Sequence, residues 1–269
     1  MNAVAGLTMY DLPEIAAATD HWWQGLSRHL RSAGFSNPPE RLSRDLEPHV
    51  LWRLPDLLLA QCCGYDLQLG ALPRPTFVAT PCYDFPYCDG PRYCSVIVVP
   101  EDARSRTLAD LRGTRAAYNM EGSHSGYNAL RAVVAPLAAE GRFFTKAIET
   151  GSHRNSLASL QRGEADVAAI DCITFGLLAR HAPQSVAGIR VLTTSPLVPG
   201  LPYITCPAAD QGRITALREA LLGAVDDPSL AEPRAALGLC GFDVECQTEY
   251  MAIDAMVKSA ESLGYSRLS

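Results

Sequence analysis

Residues 115–137 read RAAYNMEGSHSGYNALRAVVAPL, and the order of residue types in that stretch decides the fold. Residues 115–119 form a short strand-like run, and a small polar loop follows. From Ser125 to Leu137 the apolar residues fall at helical spacing. The same unit recurs downstream. Residues 146–150 read as a strand and 154–162 as a helix, then 167–172 as a strand and 175–180 as a helix, before a strand at 189–194. Alternating strands and helices with apolar strands predict an α/β fold built on parallel sheets.

Upstream, residues 4–10 read as a first strand. Asp11 is placed to cap the next helix, and Pro13 sits in its first turn. Ile15, Ala18, Trp22, Leu26 and Leu30 keep a helical period that Gly34 ends. Residues 57–63 are a continuous apolar run, the pattern of a strand buried on both faces. Residues 76–79 and 95–99 are further strands, 83–91 are a loop rich in Pro, Tyr and Gly, and 108–113 are one short helix. The C-terminal part is mostly helical, at 213–225, 229–237 and 248–263. No period of 20–50 residues repeats, which argues against a solenoid.

With 269 residues the chain is long enough for two lobes. Hydrophobic residues make up 48% and charged residues 19%, an ordinary globular balance that excludes a disordered chain, a collagen-like fibre and a coiled coil. There is no apolar run of the roughly 18 residues a membrane span needs, so membrane insertion is not expected. The net charge of −6 and the lack of a basic tract argue against nucleic acid as a partner. The first ten residues have no basic segment, long apolar stretch or cleavage site. As the sequence stands the expectation is cytoplasmic, and periplasmic if an export signal has been removed. The nine cysteines are an odd number, so they cannot all pair within the chain. Cys62, Cys63, Cys172 and Cys206 lie in apolar runs, where thiols behave as small core residues. Cys82, Cys88 and Cys94 recur every six residues, which is not a zinc spacing. Core thiols in a reducing compartment are the simplest reading, with a metal site or disulfides as alternatives.

Three loops could carry chemistry. The first holds Ser123, His124, Ser125, Gly126 and Tyr127 before a helix. The first amides of a helix lack internal partners and carry partial positive charge, so with two hydroxyls and a glycine they could cradle a tetrahedral oxyanion. The same residues are also ordinary helix caps. His124 could add a donor or point into solvent. The second loop carries Ser152 and His153 at another helix start, where a protonated imidazole would meet an anion and an N-cap serine is the plainer reading. The third ends in Asp171, which could cap a helix or line a cleft. Ligands in open α/β sheets gather at the carboxyl ends of strands, where all three loops converge. The sequence carries none of the catalytic, nucleotide or metal signatures G-x-S-x-G, Walker loop, H-E-x-x-H or G-x-G-x-x-G, so no cofactor or metal is expected. A hydrolase built from Cys172, His153 and Asp171 is conceivable, but nothing in the sequence argues for a lowered Cys172 thiol pKa.

The linear order of motifs resembles the phosphate/phosphonate-type substrate-binding proteins of ABC transporters. YCSVIVV at 93–99 looks like the family's Tyr-x-Ser strand, and TLADLRG at 107–113 is close to its S-L-x-D-L-x-G helix. SHSGY at 123–127 matches its Ser-(Ser/Thr)-Ser-Gly anion loop, with His124 replacing the middle hydroxyl residue. GSH at 151–153 resembles its G-x-H element, GEADVAA at 163–169 its G-x-x-D-V-A-A strand, and SPLVPG at 195–200 its S-P-x-x-P-G crossing. The match covers about residues 57–205.

The resemblance implies a type II periplasmic-binding-protein-like Venus flytrap, each lobe a mostly parallel sheet flanked by helices. It implies one lobe from 1–91 and 196–269, a second from 92–195 holding the anion loop, and two hinge crossings near 95–99 and 191–195. It also implies a solute-binding protein, not an enzyme, that holds phosphate, phosphite or a phosphonate between the lobes for an ABC transporter permease. Ser123, Ser125, Gly126 and His153 would hold the oxyanion, with His124, Tyr127 and Asp171 beside them and Tyr93 closing a wall. Tyr10 and Tyr65 would face the ligand from the first lobe. Family members that bind aminoalkylphosphonates carry acidic side chains where Ile173 and Leu201 stand here, which points to a ligand without an ammonium group. The rival readings are an enzyme on the same scaffold, acting on a heteroaromatic or acyl substrate, and a ligand-gated interaction module.

Overall fold

The computed structural model describes residues 3–70 and 73–269. The strands in chain order are β1 Val4–Gly6, β2 Leu57–Gln61, β3 Thr76–Tyr83, β4 Arg92–Tyr93, β5 Ser95–Pro100 and β6 Arg115–Tyr118. They continue with β7 Lys146–Glu149, β8 Val167–Asp171, β9 Ile189–Thr194, β10 Val198–Pro199, β11 Tyr203–Thr205 and β12 Leu239–Asp243. The α-helices are α1 Ala16–Ser32, α2 Pro48–Leu51, α3 Gly64–Leu69, α4 Ala129–Val134, α5 His153–Gln161, α6 Cys172–His181, α7 Gln211–Asp226, α8 Ala231–Leu237 and α9 Met251–Ser262.

Two compact units share these elements. The first is Met1–Asp84, Asp89–Arg92 and Pro199–Tyr250, and the second is Phe85–Cys88, Tyr93–Val198 and Met251–Ser269. The first unit holds a five-stranded sheet in the order β1-β2-β11-β3-β12. β1 runs parallel to β2, whereas β11 is antiparallel to both β2 and β3, and β12 is antiparallel to β3. β2 is buried along its whole length, as its unbroken apolar run requires. Trp22, Trp23, Leu26 and Leu30 turn the buried face of α1 inward. Asp11 does not cap this helix. Its carboxylate pairs with Arg44 at 2.5 Å, and a 3₁₀ turn at Pro13–Ile15 leads into α1 without a side-chain cap.

The second unit holds the sheet β7-β6-β8-β5-β9. β6 pairs in parallel with β7 and β8, and β5 is antiparallel to β8 and β9. The sheets are therefore mixed, not mostly parallel. Parallel pairing holds where a helix returns the chain between neighbouring strands, and β5, β9, β11 and β12 enter in the opposite sense. The segment 251–269, which the sequence reading assigns to the first lobe, packs in this second unit. Ala260, Tyr265 and Leu268 join the core of Ile97, Leu130, Val134 and Val167. The amides of Phe143 and Phe144 donate to the Ser269 carbonyl at 2.6 and 3.0 Å. Buried Arg131 reaches the Ser266 carbonyl and lies over the Tyr127 ring. These contacts join residues more than a hundred positions apart, which no local pattern reveals.

Among the described residues no helix is long and apolar enough to cross a membrane. In the first unit Tyr250 is fully buried, donates to the Gly200 carbonyl at 2.6 Å and is hydrogen-bonded to Thr80 Oγ1 at 2.8 Å. Tyr250→Phe removes the hydroxyl and leaves buried polar groups short of a partner. We expect it to lower unfolding stability by about 1–3 kcal/mol in urea denaturation; an unchanged midpoint would contradict the network.

Candidate functional site

The carboxyl ends of β7, β6 and β8 lie side by side because these strands are parallel neighbours. The register sets Tyr118 beside Glu149 and Ala117 beside both Ile148 and Ala168. Pairing carries on past the strands, where Thr150 N donates to the Tyr118 carbonyl at 2.9 Å and Gly151 N to the Asn119 carbonyl at 2.8 Å. The loops after β6 and β7 therefore leave the sheet together. Each turns into a helix start, and the two starts meet: Ser125 Oγ lies 2.9 Å from His153 Nε2. The third strand end carries Asp171, the N-cap of α6.

The first loop is more compact than an ordinary cap. His124–Asn128 forms a π-helical turn ahead of α4, with Ser123 as N-cap. Such turns widen the helix by one residue and recur at functional sites. Ser123 Oγ accepts from Gly126 N at 3.1 Å, and the Ser123 carbonyl accepts from Asn128 N at 3.1 Å. A Cβ on Gly126 would stand 1.9 Å from Asn119 Oδ1. Glycine is thus required because the Asn119 side chain occupies that space. Asn119, which sequence reasoning missed, belongs to this candidate site by packing over Gly126; its only signal was its place at the end of a strand that leads into a glycine-containing loop.

The electrostatics of the loops differ from the expectation. His124 is 1% exposed and does not point into solvent, and its ring lies 6.5 Å from the buried Tyr93 ring. Burial pushes its pKa down to about 4. Burial likewise lowers His153 to about 4, partly opposed by the Ala169 backbone. Both imidazoles are neutral at pH 7, so the protonated His153 of the sequence reading is not the resting form. Asn119 Oδ1 and His124 Nδ1 are buried side-chain atoms without a hydrogen-bond partner, and His153 Nδ1 has none of good geometry.

The remaining residues of the second unit divide. Ser152 is a cap, accepting from Asn155 N at 3.1 Å. Asp171 also caps, its Oδ1 accepting from Ile173 N at 2.8 Å and Thr174 N at 3.0 Å. Tyr127 turns its ring into the core, edge-on to Tyr118 with centroids 5.1 Å apart, and its hydroxyl accepts from Leu268 N at 3.3 Å. Tyr93 is buried beside His124. Hydrogen bonding within the cluster of Cys88, Cys94 and Cys172 pushes the Cys172 thiol down and the Cys88 and Cys94 thiols up. Among the described residues no group of three or more His, Cys, Asp or Glu is placed to hold a metal. A broad groove of about 800 Å³ elsewhere on this unit is lined by Arg142, Lys146 and Arg267 and shares no residue with the loops just described.

In the first unit Tyr10 packs edge-on against Tyr83, with centroids 5.3 Å apart. Gln61 Nε2 donates to the Leu201 carbonyl at 3.0 Å and to Tyr83 Oη at 3.3 Å. Tyr10, Gln61, Tyr83 and Trp22 surround a cavity of about 20 Å³, room for no more than a water. Tyr65 is half-buried in the short helix α3.

Parallel strand ends with paired helix starts on an α/β scaffold form the candidate site of the second unit. The fold is that of the type II periplasmic binding proteins. PhnD1 from Prochlorococcus marinus, solved in complex with methylphosphonate, superposes with a TM-score of 0.77 at 15% identity, covering 97% of this chain and 98% of that one. XAC2383 from Xanthomonas citri, solved bound to ATP, gives 0.72 at 16% identity over 97% and 98%. A binding protein component of an ABC phosphonate transporter from Pseudomonas aeruginosa gives 0.70 at 14% identity over 98% and 97%. No curated protein matches the chain by sequence. Residues 85–250, more than half of the chain, match the family of ABC transporter, phosphonate, periplasmic substrate-binding proteins, and the chain belongs to that family. It is a family of substrate-binding transport components and not of enzymes, partnered with a permease and periplasmic.

The site makes two predictions. Gly126→Ala forces the Asn119 side chain out of its place and should cost about 1–3 kcal/mol of stability, read by thermal unfolding; an unperturbed variant would show that the space is free. The two histidines set a pH dependence. Their folded pKa values of about 4 lie below the unfolded value of about 6.5. The unfolded chain therefore takes up protons first as pH falls. Stability is full above about pH 6.5 and declines toward pH 4, by up to ~1.4 kcal/mol per pH unit for each histidine. Urea midpoints measured from pH 7.5 to 4.5 should fall through this window, with a shallower fall in His153→Asn; a flat profile would contradict buried neutral imidazoles.

Proposed function

We propose that this protein is a solute-binding protein for a small phosphorus oxyanion (phosphate, phosphite or a phosphonate), which it delivers to an ABC transporter permease. The loops after β6 and β7 hold the ligand through Ser123, Ser125, Gly126 and His153, with His124 behind them and Tyr93 and Asp171 framing the site. The observation that carries this reading is the Ser125 Oγ–His153 Nε2 pair at 2.9 Å, which joins two helix starts whose amides and dipoles favour an anion. The unpartnered His124 Nδ1, a ring nitrogen able to carry a proton, supports it. The family and the methylphosphonate complex of PhnD1 support the ligand class. Tyr10 and Tyr65 belong to this assignment through the family resemblance alone.

Magnitudes are adequate. Charge-assisted hydrogen bonds contribute about 1.5–3 kcal/mol each, so four supply roughly 6–12 kcal/mol before ordering costs, against about 8 kcal/mol for micromolar affinity. Dipole attraction alone, about 0.3–1 kcal/mol at an exposed helix end, does not suffice. An anion at Ser125 favours the charged form of His153, so binding draws in a proton at mildly acidic pH. Ile173 and Leu201 offer no charge to an ammonium group, which favours inorganic oxyanions and simple alkylphosphonates over aminoalkyl ones.

The test is thermal unfolding with phosphate, phosphite, methylphosphonate, 2-aminoethylphosphonate and sulfate at millimolar concentration. Ligand at a hundred times Kd adds about 2.7 kcal/mol, a rise on the order of 5–10 °C for a chain of this size. We expect such a rise with at least one phosphorus oxyanion, less with the aminoalkyl compound, and its loss in Ser125→Ala. No response to any phosphorus oxyanion, or a full response in Ser125→Ala, would overturn the proposal.

A further inference from the structure

Three thiols of the second unit, Cys94 and Cys172 directly following Tyr93 and Asp171 in the chain, meet outside the set of residues proposed above to hold the ligand. Cys88 Sγ lies 3.7 Å from Cys172 Sγ. Cys94 Sγ and Cys172 Sγ lie 3.7 and 3.9 Å from the same acceptor, the Tyr87 carbonyl. Cys172 and Cys94 are buried at 2% and 3% exposure, while Cys88 is partly exposed. The backbone ties the two buried ones together, Cys172 N donating to the Cys94 carbonyl at 3.1 Å.

The placement of Cys88 is built, not incidental. The segment Phe85–Cys88 is a short excursion of the chain into the second unit, flanked on both sides by residues of the first. Phe85 anchors it on α6. A Cβ on Gly176 would stand 2.4 Å from the Phe85 ring, so only glycine admits the ring there, and the Arg180 guanidinium covers it at 4.5 Å. Tyr87 then adopts φ 71°, a left-handed conformation that a non-glycine residue holds only when its surroundings impose it. The turn directs the Tyr87 carbonyl at the sulfurs and sets Cys88 over the first residue of α6.

We propose that Cys88 and Cys172 are a redox-active pair that forms a reversible intramolecular disulfide by exchange with an external disulfide, either a small molecule such as oxidised glutathione or a protein. The Cys88 sulfur, the one an oxidant can reach, gives up its proton and attacks the disulfide RSSR, releasing one RSH. The Cys172 sulfur then attacks Cys88 Sγ, releasing the second RSH and closing the bond. Overall, two protein thiols and RSSR give one protein disulfide and two RSH: the protein loses two electrons and two protons, and the external disulfide gains both. A disulfide needs the sulfurs about 2.05 Å apart, so they must approach by rotation at Cys88, which sits in a loop. Cys172 suits the resolving role, since it begins a helix and its sulfur already lies 3.7 Å from Cys88 Sγ. Cys94 stays reduced as the third member and keeps its contact with the Tyr87 carbonyl.

The test uses the full chain. The reduced protein is incubated with oxidised glutathione, quenched in acid, unfolded, alkylated and mapped by peptide mass spectrometry. We expect seven of its nine cysteines alkylated, a linked peptide pair joining Cys88 to Cys172, and recovery of all thiols with dithiothreitol. Cys88→Ser should abolish the link, while Cys240→Ser, a change at an exposed cysteine of the first unit, should leave it intact. If Cys88→Ser folds poorly, the wild-type map decides alone. A link between other cysteines, a stable glutathione adduct on Cys88 without closure, or retention of every thiol would each overturn the proposal.

Discussion

The hydrogen bond between Ser125 and His153 is the constraint on which the site depends, and the sheet imposes it. Because β6 and β7 are parallel and in register, the residues after them leave at one height and on one side, and the two helices that follow begin within a hydrogen bond of each other. An antiparallel arrangement of the same strands would send the loops to opposite ends. The proposed anion site is thus a consequence of strand direction before it is one of side-chain identity. Serine and histidine exploit a junction that the backbone has already made.

That junction is tightly packed. Asn119 fills the space over Gly126, Tyr93 and His124 are buried together, and Tyr127 pins the π-helical turn to the core through Tyr118 and Leu268. Enclosure has a cost that the histidines register: both lose affinity for protons, and polar atoms of Asn119 and His124 lack partners. Under the proposal above, the two imidazoles gain from an oxyanion, whose charge and acceptor atoms favour the ring N–H donors that burial leaves short of partners. The thiol cluster of Cys88, Cys94 and Cys172 is a second polar inclusion in the same unit, organised by Phe85 on Gly176 and independent of the oxyanion argument.

Much of this was legible in the sequence. The apolar runs of β2, β5 and β8 and the period of α1 mark buried strands and a packed helix, and Ser123, Ser125 and His153 stand out as hydroxyl and imidazole groups at helix starts. Motif order along the chain resembles the family to which the profile match assigns it. What escaped the sequence depends on distant contacts. The strand β12 is broken by Gly241 and carries no alternating pattern strong enough to announce it, yet its pairing with β3 secures it. The side on which α9 packs is decided by Arg131, Tyr127 and the last residues. His124 looks like a polar loop residue until the fold buries it, and Tyr127 reads as a neighbour of the anion loop although a π turn rotates it into the core. Cys88, Cys94 and Cys172 meet across 84 positions of sequence, and spacing alone gave no hint of it.

The most direct test of the account is a titration of His153 by imidazole nitrogen NMR, without and with saturating methylphosphonate. Without ligand the ring should stay neutral until about pH 4. With ligand its titration should move to higher pH, and its Nε2 signal should change together with that of the Ser125 amide. A ring whose titration and shifts are the same in both states, in a protein that demonstrably binds the compound, would contradict the claim that these two loops hold the oxyanion.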